Sequence, residues 1–394
     1  MKDATRGIHL ALCCLLISTG CTVSKTKPVA SSSWVPKAAA QYLDYRAAWW
    51  MGWDGAARDH GTFCISCHTA LPYALARPAL RPVLAEPGLS ANEQKLLDNV
   101  SKRVRLWNEV APYYGDAGYK DEALKSRGTE AVLNALILAS YDSERGQLGP
   151  DARIALRNMW TFQQTSGDKA GAWPWLQFDN EPWEAYDSAY YGACLAAIAV
   201  GVAPGDYVDS PEARSGVKLL RDYLNRESAD QSTINRVFLL WASSKLPGLL
   251  SREQQNAIIE EALSRQQADG GWRLASIVWR WRGWSVKSLL KIWLRGDGTP
   301  LGHKSDGVAT GLVTFVLEEA GVPGENVQLR RGLSWLTTHQ NTADGFWPAT
   351  SINRRKSLTS DTGRFMSDAA TAYAVLALTA QKGSASAAAT VAAY

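Results

Sequence analysis

Three times along this chain a helix ends in glutamine, turns on glycine and arrives at tryptophan. Arg331–Trp347 (RGLSWLTTHQNTADGFW) reads as a helix carrying Trp335 and Leu336, then Gln340, then a tight Gly345-Phe346-Trp347 turn. Arg157–Trp173 repeats the order with Trp160, Gln164, Gly171, Ala172 and Trp173. Glu261–Trp272 does so with Leu263, Gln267, Asp269, Gly270, Gly271 and Trp272. Such recurrence means a fold assembled from supersecondary units, each burying its apolar face only against its neighbours. The repeat turns also explain part of the 17 tryptophans in 394 residues.

A second element alternates with the first. Asp368, Asp306 and Asp187 each precede a run of small apolar residues, with Thr371 and Thr310 among them. Ser126-Arg-Gly-Thr129 and Asp230-Gln-Ser-Thr233 are looser copies. A carboxylate or hydroxyl before a helix accepts amide hydrogens of the first turn and suits the positive end of the helix dipole. The alanines and glycines that follow let backbones approach closely, as a crowded inner layer requires. Bulkier helices such as Gln328–His339 suit an outer layer. The expectation is an all-α protein of paired inner and outer helices.

On these repeats the chain resembles the squalene–hopene cyclase and prenyltransferase superfamily, whose glutamine–tryptophan repeats build an α/α toroid. The resemblance covers Asp121 to Ala380 and implies a toroid over residues 91–380. It does not carry those enzymes' activities with it. The cyclases' Asp-x-Asp-Asp proton donor is absent, and Cys194 is the one cysteine in the repeat region, without the prenyltransferase zinc set. The thioester motif of the complement-type toroids is missing too. Cys194, on a small-residue helix, reads as a buried thiol.

The N-terminus reads as an export signal over residues 1–20: Lys2 and Arg6, the apolar run Leu10–Ile17, then Ser18-Thr19-Gly20. Cys21 follows as in a bacterial lipobox, with Ser18 where that pattern has leucine. Lipidation of Cys21 and a polar tether over residues 21–33 would hold the protein on the membrane of the cell envelope, on the periplasmic side. In a Gram-negative cell that membrane is the outer one.

Residues 34–90 contain Cys64-Ile65-Ser66-Cys67-His68. C-x-x-C-H is the attachment pattern of c-type haem: Cys64 and Cys67 add to the vinyl groups, and His68 is the axial ligand of the iron. One haem c per chain is expected, and its attachment outside the cytoplasm agrees with the export signal. A Cys64–Cys67 disulfide and half of a zinc site are the other readings of the pair. Zinc needs two more soft ligands, and there is no second cysteine pair. The distal ligand is left unassigned: Met51, His60, Met159, Met366, His303 and His339 are the candidates, and without one of them the site is five-coordinate and open. Pro72, Pro78 and Pro82 predict short helical turns around the haem, and Ser90 with Glu93 predicts a capped helix from residue 91. Residues 381–394, small and without cap or heptad, read as a flexible tail.

Two further stretches interrupt the repeats. The loop Trp173–Asp187 sets Glu181, Glu184 and Asp187 among aromatic residues, where raised pKa values would suit a general acid or base. Capping and a solvated loop are the plainer reading. Ser276–Asp297 mixes tryptophans with Arg280, Arg282, Lys287 and Lys291 and reads as a membrane-interface element or as a packed insertion. The formal charge of +4 is scattered, so nucleic acid is not a predicted partner. Three functions remain: a haem-dependent oxidoreductase acting on an apolar small molecule in the toroid, a non-enzymatic electron-transfer lipoprotein docking an envelope partner, and a cyclase-like isomerase. A wide apolar cavity beside the haem would favour the first; a filled barrel would favour the second.

Overall fold

The computed structural model describes residues 34–115, 121–279, 290 and 293–391, with side chains described through residue 380. The export signal, Cys21, the tether and most of the 276–297 stretch lie outside the described residues. The fold is mostly helical, with a single two-stranded hairpin among the described residues. In chain order the elements are α1 (Pro36–Gly52), β1 (Ala57–Arg58), β2 (Thr62–Phe63), α2 (Ala70–Leu84), α3 (Ala91–Arg105), α4 (Glu122–Ser143) and α5 (Pro150–Thr161). There follow α6 (Ser188–Val202), α7 (Arg214–Glu227), α8 (Thr233–Lys245), α9 (Arg252–Ser264), α10 (Leu274–Val278), α11 (Gly307–Glu319), α12 (Val327–His339) and α13 (Phe365–Val391). The last helix runs past residue 381, the expected start of the tail.

Two classes of helix are visible in their burial. Along α6 nearly every residue is buried, as a helix of small, aromatic and aliphatic residues without a single charge demands; along α9 only Ile258 and Ala262 are. Helices of the first class touch in succession: α2 against α4, α4 against α6, α6 against α8, α8 against α11, α11 against α13, and α13 against α2. The second class lies alongside, α5 on α4, α7 on α6, α9 on α8, α12 on α11 and α1 on α2. Aromatic side chains of the first class meet one another: Tyr191 of α6 lies 4.7 Å from Phe238 of α8, and Trp241 lies 5.1 Å from Phe315 of α11. Phe238 also reaches Tyr373 of α13 at 6.5 Å.

The repeat grammar has a physical meaning, with the glutamine as expected in the third copy, Gln340, and one residue earlier than expected in the other two. Each tryptophan indole donates to a carbonyl in or near the last turn of the preceding helix: Trp173 to Met159 at 2.7 Å, Trp272 to Ala262 at 2.7 Å and Trp347 to Leu336 at 2.8 Å. The bridging glutamines are Gln163, Gln266 and Gln340. Each side-chain amide donates both to the carbonyl of its own turn glycine and to a neighbouring helix of the second class, at Gly216 of α7, Gln328 of α12 and Val35 just before α1. Gln164 and Gln267 instead close the turn through the backbone, their N–H groups donating to Ala172 and Gly271 at 2.8 Å. The turn glycines have positive φ and sit under that neighbouring helix: a Cβ on Gly171 would stand 2.1 Å from the Leu219 carbonyl, and one on Gly345 2.0 Å from that of Ala38. Only glycine satisfies both demands.

The helix starts divide. Asp306 caps α11, its carboxylate accepting from Ala309 N at 3.0 Å, and Ser90 and Glu93 complete the expected capping box on α3. Ser126 lies inside α4, and Asp230 ends a short 3-10 turn. Asp368 lies within the first turn of α13 and is committed elsewhere, as described below. The prolines of the 70–84 segment do not break it into turns: α2 is one helix with Pro78 and Pro82 inside. Pro72 falls in the first turn, where a missing N–H costs nothing. The rest is held from outside, by buried Leu71, Ala74, Ala76 and Leu80 against α1, α4 and α13 and by Arg77, whose guanidinium bonds both Asp44 and Glu86.

Candidate functional site

The Cys64–His68 loop joins β2 to α2 and is clamped from several sides. Asn99 of α3 pairs with both backbone groups of Phe63, accepting at 2.9 Å and donating at 3.0 Å. Cys64 N–H donates to the Ala56 carbonyl at 2.9 Å, and the Trp50 indole of α1 donates to the Cys64 carbonyl at 2.8 Å. Ser66 Oγ accepts from Thr69 and Ala70 N–H, which starts α2 immediately after the motif. Cys64 and Cys67 are free, buried thiols. Burial pushes the Cys64 thiol up to about 11 and Cys67 well above its usual range; the nearby Glu184 carboxylate raises both.

His68 is the centre of the arrangement. Its ring stacks on Phe365 at 3.9 Å between centroids, and Trp50 meets it edge-on at 5.1 Å. Its Nδ1 lies 2.9 Å from Thr69 Oγ1, and that hydroxyl gives its one hydrogen to Asp368 Oδ2 at 2.7 Å. Asp368 accepts further from Tyr42 at 2.7 Å and from Arg46 through Nε at 2.8 Å and Nη2 at 3.0 Å. Burial raises the Asp368 carboxyl, and this set of donors, a guanidinium among them, draws it back toward the ionised form. With the carboxylate ionised, Thr69 must donate to it, so the imidazole must donate from Nδ1 to Thr69. Nε2 is then the nitrogen with the free lone pair. Burial, with the Arg46 and Lys356 charges, lowers the His68 pKa to about 3, so the ring is neutral across the physiological range.

Cys67 and His68 line a cavity of about 310 Å³, at the small end of ligand-site volumes. Cys64, although buried, does not line it. The other walls come from the 180–184 loop, with Glu181, Trp183 and Glu184, and from the 351–366 segment, with Arg354, Lys356, Phe365 and Met366. Asn353 stitches the two loops by accepting from Glu181 N–H at 3.0 Å and donating to its carbonyl at 2.8 Å. Burial pushes the Glu184 carboxyl up to about 7, while a hydrogen bond from Asn180 works against the shift.

Of the predicted site residues, the structure thus brings Cys67, His68, Glu181 and Glu184 to one cavity. Asp187 stands at the start of α6 and does not line it. Met366 alone of the six distal-ligand candidates shares the cavity with His68. Arg46, Thr69 and Asp368 orient the imidazole, and nothing local in the sequence marks them for this role. Their signal was faint: a carboxylate opening a small-residue helix reads as a cap unless its partners, some 300 residues away in sequence, are known. Among the described residues no group of three or more His, Cys, Asp or Glu side chains converges as a metal site. The chain's own arrangement offers a neutral imidazole with a fixed tautomer, two thiols nearby, aromatic walls and two cationic side chains at the rim. No protein-family model and no curated protein matches the sequence.

Proposed function

We propose that this is an exported, lipid-anchored electron-transfer protein carrying one c-type haem, built into the mouth of an α/α toroid. The toroid reading is supported by the succession of inner-class contacts that returns from α13 to α2, and by Gln340, which links the last repeat to Val35 at the head of α1. The haem reading rests on one observation above the others: the His68–Thr69–Asp368 chain, which protonates Nδ1 and leaves Nε2 as a ligand nitrogen. Metal-bound imidazoles are oriented in this way by a hydrogen-bonded partner on the other nitrogen. Cys64 and Cys67 would hold the group covalently, His68 would ligate its iron, and the group would supply reversible one-electron exchange. Arg354 and Lys356 would balance negative charge at the rim.

The residues of the chain have separable tasks here. Asp368, anchored by Arg46 and Tyr42, fixes the ring through Thr69. Phe365 and Trp50 pack against the imidazole and fix its plane. Aromatic side chains of α6, α8, α11 and α13 pack on one another, Tyr191 on Phe238 and Trp241 on Phe315, which favours electron transfer to an envelope partner over chemistry on a substrate held among these helices. A second reading, redox chemistry on a small molecule in the His68 cavity, is favoured by Glu184: a carboxyl near neutrality can take up or release a proton beside the site. Expression in a host with c-type maturation machinery tests the proposal. The purified protein should absorb in the Soret region, and replacing both Cys64 and Cys67 by serine should abolish that absorbance. Equal absorbance in the double variant would refute covalent attachment.

A further inference from the structure

We infer that a surface pocket between the end of α1 and α3 binds a small planar aromatic anion of the electron-carrier kind, such as a sulfonated or carboxylated quinone. The pocket holds about 460 Å³, a ligand-sized volume, and shares no residue with the His68 cavity. Its apolar lining is Met51 of α1, Trp53 just after it and Phe63 of β2. Two aromatic rings and a polarizable thioether suit an aromatic guest better than an aliphatic one. Arg58, Lys95 and Lys102 bring three cations to the same pocket against one carboxylate, Asp98. That carboxylate already accepts from Gln94 at 2.8 Å. Lys95 and Lys102 are exposed, and Lys102 is held by the His60 carbonyl, not by an acid. A concave site with an excess of one charge concentrates ligands of the other.

The electron-carrier class follows from what the pocket adjoins. Trp53 meets Trp50 at 5.5 Å between ring centroids, and Trp50 meets the His68 imidazole edge-on at 5.1 Å. The Trp50 indole also holds the Cys64 carbonyl. Trp49 stacks on Trp53 at 5.2 Å and Gly55 packs against it, so the ring is fixed where it lines the pocket. Contiguous aromatic contacts thus run from this pocket to the Cys64–His68 loop. Binding stands on the pocket alone; the redox role rests on the haem reading. On that reading a hydroquinone held here is oxidised to the quinone, delivering one electron to each of two ferric chains and releasing two protons to solvent. Trp53 and Trp50 bridge the gap without being oxidised themselves.

The test is titration calorimetry of the full-length protein, made with and without haem, with anthraquinone-2-sulfonate as the probe. Saturable one-to-one binding should weaken as salt rises. The double variant Lys95→Glu/Lys102→Glu should keep wild-type circular dichroism and bind about tenfold more weakly or worse, while Asp98→Asn should bind more tightly. Cyclohexanesulfonate, which has the charge without the aromatic ring, and 2-(hydroxymethyl)anthraquinone, which has the ring without the charge, should each bind about tenfold more weakly. Undiminished binding to the double variant overturns the site, and equal binding of either analogue overturns the ligand class. In stopped-flow mixing the reduced probe should reduce the haem-loaded wild type about tenfold faster than the double variant at subsaturating probe. Equal rates overturn the redox role and leave the binding site; wild-type protein without haem overturns the haem reading alone.

Discussion

Replacing Thr69 by valine removes one hydroxyl and keeps the shape of the side chain, so it isolates the relay beneath His68. Two hydrogen bonds disappear: the one Thr69 donates to the Asp368 carboxylate at 2.7 Å and the one it accepts from His68 Nδ1 at 2.9 Å. A bond to a charged group contributes about 1.5–3 kcal/mol, and a buried donor left unpaired costs about 1–3 kcal/mol. Asp368 retains Arg46 and Tyr42, and the ring can shift its proton to Nε2, so the loss should fall near 3 kcal/mol. Thr69→Ser is the control: it keeps both bonds and sheds one methyl, worth about 1 kcal/mol. Urea unfolding at constant m-value should separate the two variants by about 2 kcal/mol. Nitrogen-15 NMR of the protein produced without haem should find the His68 proton on Nδ1 in the wild type and in Thr69→Ser. Equal unfolding midpoints for the two variants, or a wild-type ring protonated at Nε2, would refute the reasoning.

Other expectations follow from the turns and the cavity. Gln163→Leu should destabilise by about 2 kcal/mol in urea unfolding, because two buried carbonyls lose their donor, whereas Gln164→Leu should stay within about 0.5 kcal/mol. The reverse order would mean that the repeat register is wrong. Gly345→Ala should cost about 3 kcal/mol or more by the same assay, since a Cβ at φ +87° would meet the Ala38 carbonyl; a near-neutral effect would contradict the close approach of α1. Glu184 binds its proton more tightly folded than unfolded, its pKa rising from 4.5 to about 7. Between those values the folded state carries a proton that the unfolded chain has released, so stability falls as pH rises through that window. Glu184→Gln should flatten that part of the pH–stability profile, and an unchanged slope would place the carboxylate in a solvated setting.

Local chemistry was the part of this molecule legible in the sequence. The capping box of Ser90 and Glu93, the glycine turns with their tryptophans and the apolar helices such as α6 and α11 all depend on residues close in sequence, and each is found. The glutamine register was misread because Gln163-Gln164 and Gln266-Gln267 are pairs. Only the three-dimensional position of the neighbouring helix distinguishes the bridging member. Pro78 and Pro82 misled for a related reason: local rules disfavour them in a helix, and packing against α1, α4 and α13 overrides those rules. The site shows the same division. Cys64, Cys67 and His68 announce themselves as a contiguous motif, and Glu184 as a carboxylate in an aromatic loop. Arg46, Phe365 and Asp368 reach His68 from opposite ends of the chain, a relation that spacing in one sequence does not encode.

The state of two sulfur atoms, those of Cys64 and Cys67, decides between a haem protein and a bare helical scaffold. Mass spectrometry of the matured protein, read on the proteolytic fragment spanning residues 64–68, should show both thiols carrying a single haem. Finding that fragment with unmodified cysteines, or with a Cys64–Cys67 disulfide, would contradict the haem reading.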